Sequence, residues 1–140
     1  MKATPVTTIC LLFGAALLIG GVASAGDARQ SAELTIKGTC NFHGTVSAWS
    51  GKLTPTGTPG VYDAKYTAAW GNKKEMTYSG QLKTDLKTEV SGQGAATGGG
   101  GNGTFKFAGK FGKDGVATCP YSEVGGTRKR SGTLTVDSIK

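Results

Sequence analysis

Residues 61–82, VYDAKYTAAWGNKKEMTYSGQL, decide the fold. From residue 61 to residue 70, aromatic residues and alanines alternate with polar residues, and residues 76–82 repeat this period of two. Such a period is typical of β-strands, in which successive side chains point to opposite faces. Residues 71–74 supply the connection. The stretch therefore predicts an antiparallel hairpin with one apolar face.

The same alternation continues through much of the remaining chain. The segments 49–53, 78–82 and 107–111 share the order aromatic, small, glycine, polar, apolar, which places a glycine on the inward face of each. Inward glycine permits sharp bends and close backbone approach. The sequence predicts a single all-β, antiparallel domain of about eight strands, closed into a small barrel, with a two-sheet sandwich as the alternative. Further strands are expected at residues 33–37, 41–49, 86–90, 104–111, 116–121 and 132–136.

One strand carries a conflict of phase. Cys40, Phe42 and Val46 occupy even positions, whereas Trp49 begins a run of apolar residues at odd positions. One additional residue in a strand turns every later side chain to the other face. A β-bulge near residues 47–48 is therefore expected.

The first 25 residues have the organisation of a secretory signal peptide. Lys2 precedes an apolar run at residues 9–22, and Ala-Ser-Ala at residues 23–25 is a small-residue cleavage site. The run is shorter than the ~20 residues that a membrane-spanning helix needs. We expect a cleaved leader, a mature domain at residues 26–140, export to the periplasm or the cell exterior, and no integral membrane protein.

Two cysteines remain after the leader, which takes Cys10 with it. Cys40 and Cys119 both fall on faces expected to point inward. An even pair of cysteines in an oxidising compartment indicates a disulfide. We therefore expect a bond between Cys40 and Cys119.

Glycine is abundant, with 24 residues among 140, which argues against long helices. Residues 92–103, GQGAATGGGGNG, have few side chains able to bury apolar area. This segment predicts a flexible loop. A phosphate-binding loop is not expected, because no helix and no Gly-Lys-Ser/Thr follows.

The formal net charge is +7, and the cations cluster at two predicted turns. Arg128, Lys129 and Arg130 form one cluster, and Lys73 and Lys74 the other. Basic clusters attract sulfated, phosphorylated or uronic-acid polymers, although cations at hairpin tips also protect sheet edges. The charge favours an acidic polysaccharide or an anionic surface as partner. Nucleic acid is not expected, since neither a recognition helix nor a stacking motif is visible.

Catalytic patterns are weak. His43 is the one histidine of the chain, which leaves too few ligands for a zinc site, and no serine lies in a Gly-x-Ser-x-Gly sequence or another activating context. The carboxylates, Glu123 among them, are expected on the solvated surface. The sequence therefore predicts a protein that is not an enzyme and has neither a metal nor a cofactor.

Two further functions remain open. Tyr62, Tyr66, Trp70 and Tyr78 share the inward face, where they either fill the core or line a ligand cavity. The chain is accordingly interpreted as a binding module that uses its basic turn, as a small-ligand carrier with an aromatic cavity, or as a cell-envelope or inhibitor protein that acts through protein contacts.

Overall fold

The computed structural model describes residues 32–70, 74–98, 102–125 and 128–140. The predicted signal peptide, residues 1–25, lies outside the described residues. Each strand pairs antiparallel with the next, and β8 pairs with β1, so the sheet closes into a barrel. The predicted antiparallel barrel is confirmed over its sandwich alternative. The strands are β1 (Leu34–Phe42), β2 (Thr45–Pro55), β3 (Val61–Trp70), β4 (Lys74–Thr84), β5 (Glu89–Gly98), β6 (Gly103–Phe111), β7 (Ala117–Gly125) and β8 (Arg128–Ile139).

Short connections explain this order, because only antiparallel neighbours can be joined by a few residues. The connections that follow β1, β3, β5 and β7 lie at one end of the barrel. We call it the basic end, since β4 begins there with Lys74 and β8 with residues 128–130. The connections that follow β2, β4 and β6 lie at the other end, which we call the packed end.

The β1–β2 connection corrects one prediction. His43 and Gly44 have φ angles of 50° and 86°, and they form a two-residue turn that pairs Phe42 with Thr45. Two left-handed residues are what a tight hairpin requires. Even-numbered residues face inward before this turn and odd-numbered residues face inward after it, so the turn accounts for the change of phase. The expected single strand over residues 41–49 and the expected bulge in it were therefore wrong. Val46 consequently faces outward and is 62% exposed.

A register shift occurs instead where the barrel closes. The pairing of β1 with β8 shifts between Lys37 and Gly38, and Asp137 is the additional residue of β8. The extra residue changes which side chains of β8 face inward. Ile139 therefore packs against the core, as Val136 does from the other side of the shift.

The predicted flexible loop at residues 92–103 is wrong for most of its length, because β5 extends through it as far as Gly98. A Cβ atom on Gly92 would lie 2.4 Å from the ring of Phe107, and one on Gly94 would lie 2.1 Å from a backbone oxygen of β4. These glycines are thus required by close packing inside the sheet. Glycine content alone did not distinguish this role from that of a linker.

The predicted disulfide is also wrong. Cys40 and Cys119 are both buried, as expected, but both thiols are free. Each cysteine pairs with Leu134, from opposite sides of β8. Strands lie about 4.8 Å apart, so the two Cα atoms are separated by roughly twice that distance, beyond the ~7 Å that a disulfide can bridge.

The interior changes in character along the barrel axis. Toward the basic end it is filled by aromatic rings with edge-to-face contacts, such as Trp49 on Tyr66, with ring centroids 5.4 Å apart, and Tyr78 on Phe105 at 5.5 Å. Toward the packed end it is mainly aliphatic and closed to solvent. The largest fully buried side chains there are Ile36, Leu53, Tyr62, Leu82, Val90, Cys119 and Val136.

Candidate functional site

The described residues of the two predicted basic clusters lie at the same end of the barrel. Residues 128–130 are the first three residues of β8 rather than part of a turn, and Lys74 is the first residue of β4. Lys73 lies outside the described residues. Lys129 is exposed, and Arg130 is half-buried. Because β3–β4 and β7–β8 are connected at the same end, the fold brings together cations that are far apart in the sequence.

The acidic residues are distributed differently. Most of the carboxylates in the described part of the chain lie toward the packed end, where they alternate with lysines. Lys52 and Glu33 form an exposed ion pair there, with 3.2 Å between Nζ and Oε1. At the basic end the cations of Lys74 and residues 128–130 stand with two described carboxylates, Glu75 and Glu123, whereas the packed end has charges of both signs. The carboxylates of the packed end are Glu33, Asp63, Asp85, Glu89, Asp114 and Asp137.

Glu123 is buried, although a solvated surface position was expected for it. Its side chain is only 7% exposed, and it points into the barrel near the basic end. The Tyr121 hydroxyl donates a hydrogen bond of 2.9 Å to its Oε2 atom, and Arg130 is its cross-strand partner. The phase could have revealed it, because Glu123 continues the alternation of Cys119 and Tyr121.

The buried thiols are poor nucleophiles. Burial, followed by the nearby charge of Glu123, raises the pKa of Cys40 to about 12. Burial alone raises the pKa of Cys119 to about 11. Burial also raises the pKa of Tyr121 well above its ordinary value, and the neighbouring Tyr78 and Glu123 add to this shift. Both thiols are therefore protonated at neutral pH, and the thiolate is the reactive form of cysteine.

The four aromatic cavity candidates do not share one position. Tyr66 and Tyr78 line an interior cavity of ≈30 Å³, whereas Tyr62 is fully buried nearer the packed end. Trp70 is the last residue of β3 and pairs with Lys74 at the basic end. A typical small-molecule site has ~300 Å³ or more. The described cavity is about a tenth of that volume, so it does not favour the ligand-carrier hypothesis.

The described residues offer little for metal chemistry. His43 lies exposed in the β1–β2 turn. In the parts of the chain that the structure describes, no three His, Cys, Asp or Glu residues are grouped so that they could hold a metal ion. The barrel end with its cations is therefore the best-supported candidate site.

Comparison with known proteins gives no match: no family model, no curated protein and no solved structure is significantly similar to the chain. Within the described ranges, no helix has the length and apolar character needed to cross a membrane. Function is therefore inferred from the charges, burial and geometry of the barrel itself.

Proposed function

We propose that the protein is an exported, non-catalytic binding module that holds an acidic polysaccharide or an anionic surface at its basic end. One observation carries the proposal: Lys74 and residues 128–130 begin two strands at the same end of the barrel. Arginine and lysine side chains bind sulfate, phosphate and carboxylate groups through charge-assisted hydrogen bonds. Binding to a polyanion also releases its condensed counterions.

The position of the cations suits an extended partner. β4 and β8 are separated by three strands on either side of the closed barrel, so Lys74 and residues 128–130 begin their strands at opposite sides of the mouth. A chain with several anionic groups can contact both clusters at once, whereas a single small anion can contact only one. At the packed end carboxylates lie among the lysines, and this mixture of signs weakens the attraction of that end for a polyanion.

The proposed function includes export from the cytoplasm. The basic residue, apolar run and Ala-Ser-Ala sequence of residues 1–25 support it. Acidic polysaccharides and the anionic faces of envelopes are abundant outside the cytoplasm, where this domain would meet them.

The test compares two triple variants that remove the same charge. R128Q/K129Q/R130Q neutralises the basic end, and K83Q/K87Q/K113Q neutralises exposed lysines of the packed end. Binding to a sulfated polysaccharide, heparin, is measured at several salt concentrations. We expect the first triple to reduce the slope of log affinity against log salt by roughly two to three, and the second by less than about one.

Circular dichroism of both triples checks that the barrel remains folded. Equal losses in the two variants would mean that net charge, not the basic end, governs binding. Undetectable binding of the unaltered protein to heparin and to vesicles containing anionic lipid would overturn the proposal.

A further inference from the structure

The outer wall of the barrel carries an open groove that starts beside the basic end. It crosses β4, β5, β6, β7 and β8, and we call it the lateral groove. Its volume is ≈700 Å³, which lies within the ~300–1,000 Å³ of typical ligand sites. Small side chains, among them Ser91, Ala108 and Ser131, contribute to its lining. An open recess across several strands suits a segment of a polymer better than an enclosed small molecule.

A row of five polar side chains runs along the lateral groove. Each residue is the direct cross-strand neighbour of the next, and four are exposed while Ser122 is half-buried. Neighbouring strands lie about 4.8 Å apart, so the row extends over roughly 19 Å. Its amide and hydroxyl groups both donate and accept hydrogen bonds, and its ammonium group donates. From β4 to β8 the residues of the row are Gln81, Gln93, Lys106, Ser122 and Ser131.

The row leads away from the basic end. Ser131 is the fourth residue of β8 and follows the basic cluster directly, whereas Gln81 is the eighth residue of β4. Among the described residues that line the lateral groove, none is a carboxylate. The charged ones are Lys106, inside the row, and Lys83, two residues beyond its end on β4. A polyanion held at the basic end therefore finds a continuous path along the wall.

A second recess, on β1 to β4, has similar size but different charge. Its volume is ≈890 Å³, and its lysines, Lys52 and Lys65, lie among the carboxylates of Glu33 and Asp63. Glu33 forms its exposed ion pair with Lys52 inside this recess. Lys106 instead has Gln93 and Ser122 as its cross-strand neighbours. An anionic group is accordingly attracted to the lateral groove more than to the second recess.

We propose that the lateral groove binds a segment of an acidic polysaccharide. Lys106 contacts a carboxylate or sulfate group of that segment, and the amides and hydroxyls of the row bond to its sugar hydroxyls. The proposal rests on the proposed function and narrows it, because the polymer held at the basic end continues along the wall. A polysaccharide carries anionic groups and hydroxyl groups on one chain. A bilayer presents its headgroups on a flat surface, which contacts the basic end but does not enter a recess on the wall.

The test measures binding of a heparin-derived octasaccharide by isothermal titration calorimetry at several salt concentrations. Lys106→Gln should weaken binding about fivefold and reduce the slope of log affinity against log salt by about one, because one contact with an anionic group is lost. Lys65→Gln, the matched control in the second recess, removes the same charge and should change the affinity less than about twofold. Gln93→Ala removes no charge and should weaken binding about threefold with an unchanged slope.

Amide chemical shifts of the unaltered protein supply a second measurement, which does not depend on the folding of any variant. We expect the octasaccharide to shift the resonances of Ser122 and Ser131 in the lateral groove. Those of Ser50 and Thr67, which line the second recess, should shift less. Shifts confined to the basic end would overturn the lateral groove and leave the proposed function standing, as would equal effects of Lys106→Gln and Lys65→Gln.

Vesicles of phosphatidylcholine and phosphatidylglycerol separate the two kinds of partner. We expect Lys106→Gln to leave vesicle binding unchanged, whereas R128Q/K129Q/R130Q reduces it. Vesicle binding without octasaccharide binding would overturn the lateral groove and leave an anionic surface as the partner. Binding of the unaltered protein to neither ligand would overturn both proposals.

Discussion

The two ends of the barrel are built from the same strands but from different interiors. At the packed end the core is mainly aliphatic and closed, with Leu53 and Leu82 fully buried. At the basic end aromatic rings leave a small cavity, and a carboxylate, Glu123, is buried among them. Packed aliphatic side chains contribute stability and need no hydrogen-bond partners, whereas each buried polar group needs a hydrogen-bond partner of its own. We therefore expect the packed end to contribute most of the stability, whereas the basic end carries the proposed binding site.

The largest expected effect comes from the packed end. Leu53→Ala removes a fully buried side chain and leaves a cavity that the surrounding core fills only in part. We expect it to lower the free energy of unfolding by about 3 kcal/mol. Val46→Ala, on the same strand but 62% exposed, should change it by less than about 1 kcal/mol. Urea denaturation followed by circular dichroism measures both. Equal costs would show that the buried side chain of Leu53 does not stabilise the packed end.

A smaller effect is expected at Glu123. Glu123→Ala leaves the buried Tyr121 hydroxyl without its acceptor, whereas Glu123→Gln retains a carbonyl oxygen. We expect the alanine variant to be less stable than the glutamine variant by about 2 kcal/mol. Combining each substitution with Tyr121→Phe completes a double-mutant cycle. A coupling energy near zero would show that this hydrogen bond does not stabilise the basic end.

The smallest effect is expected in the β4–β5 connection. The Thr88 hydroxyl and the backbone N–H groups of Lys87, Thr88 and Glu89 donate to the Asp85 carboxylate and hold its pKa well below its usual value of 3.8. A lowered pKa stabilises the folded state above the unfolded-state value, and this contribution is lost as the pH falls. Asp85→Asn should therefore lower the unfolding midpoint near neutral pH.

The difference between Asp85→Asn and the unaltered protein should shrink below about pH 4. Asp114→Asn is the matched control at the same end, since that carboxylate accepts one backbone bond, from Val116. Thermal unfolding at several pH values measures both variants. A midpoint difference that stays constant between neutral and acid pH would mean that the charge of Asp85 does not stabilise the connection.

Local pattern predicted the strands well where the alternation was uninterrupted. The strand expected at residues 61–70 is β3, and its hairpin with β4 pairs from Val61 with Lys83 to Trp70 with Lys74. The prediction of strands from the local pattern failed at the turn of His43, which contains few typical turn residues. It also failed in β5, where glycines lie inside a strand. In both places the backbone conformation depends on residues of the neighbouring strand, and the local sequence does not say which residues those are.

The candidate site was likewise predictable from the sequence only in part. The basic clusters were visible as residues 128–130 and as Lys73 and Lys74, but their meeting at one end follows from the order of strands around the barrel. The burial of Glu123, and the absence of a hydrogen-bond partner for the Tyr66 hydroxyl among the described residues, depend on how other strands pack around them. No local signal could have identified the cavity that the Tyr66 ring borders.

The amino-acid sequence by itself determined an antiparallel β domain, because a period of two with polar connections leaves a chain few other ways to bury its apolar face. The tertiary structure decided which residues became neighbours. It placed β8 between the two cysteines, so they remain thiols, and it brought the cations of β4 and β8 to one end. The reason is physical: alternation fixes the face on which a side chain lies, whereas its neighbours depend on how strands distant in sequence pair when the barrel closes.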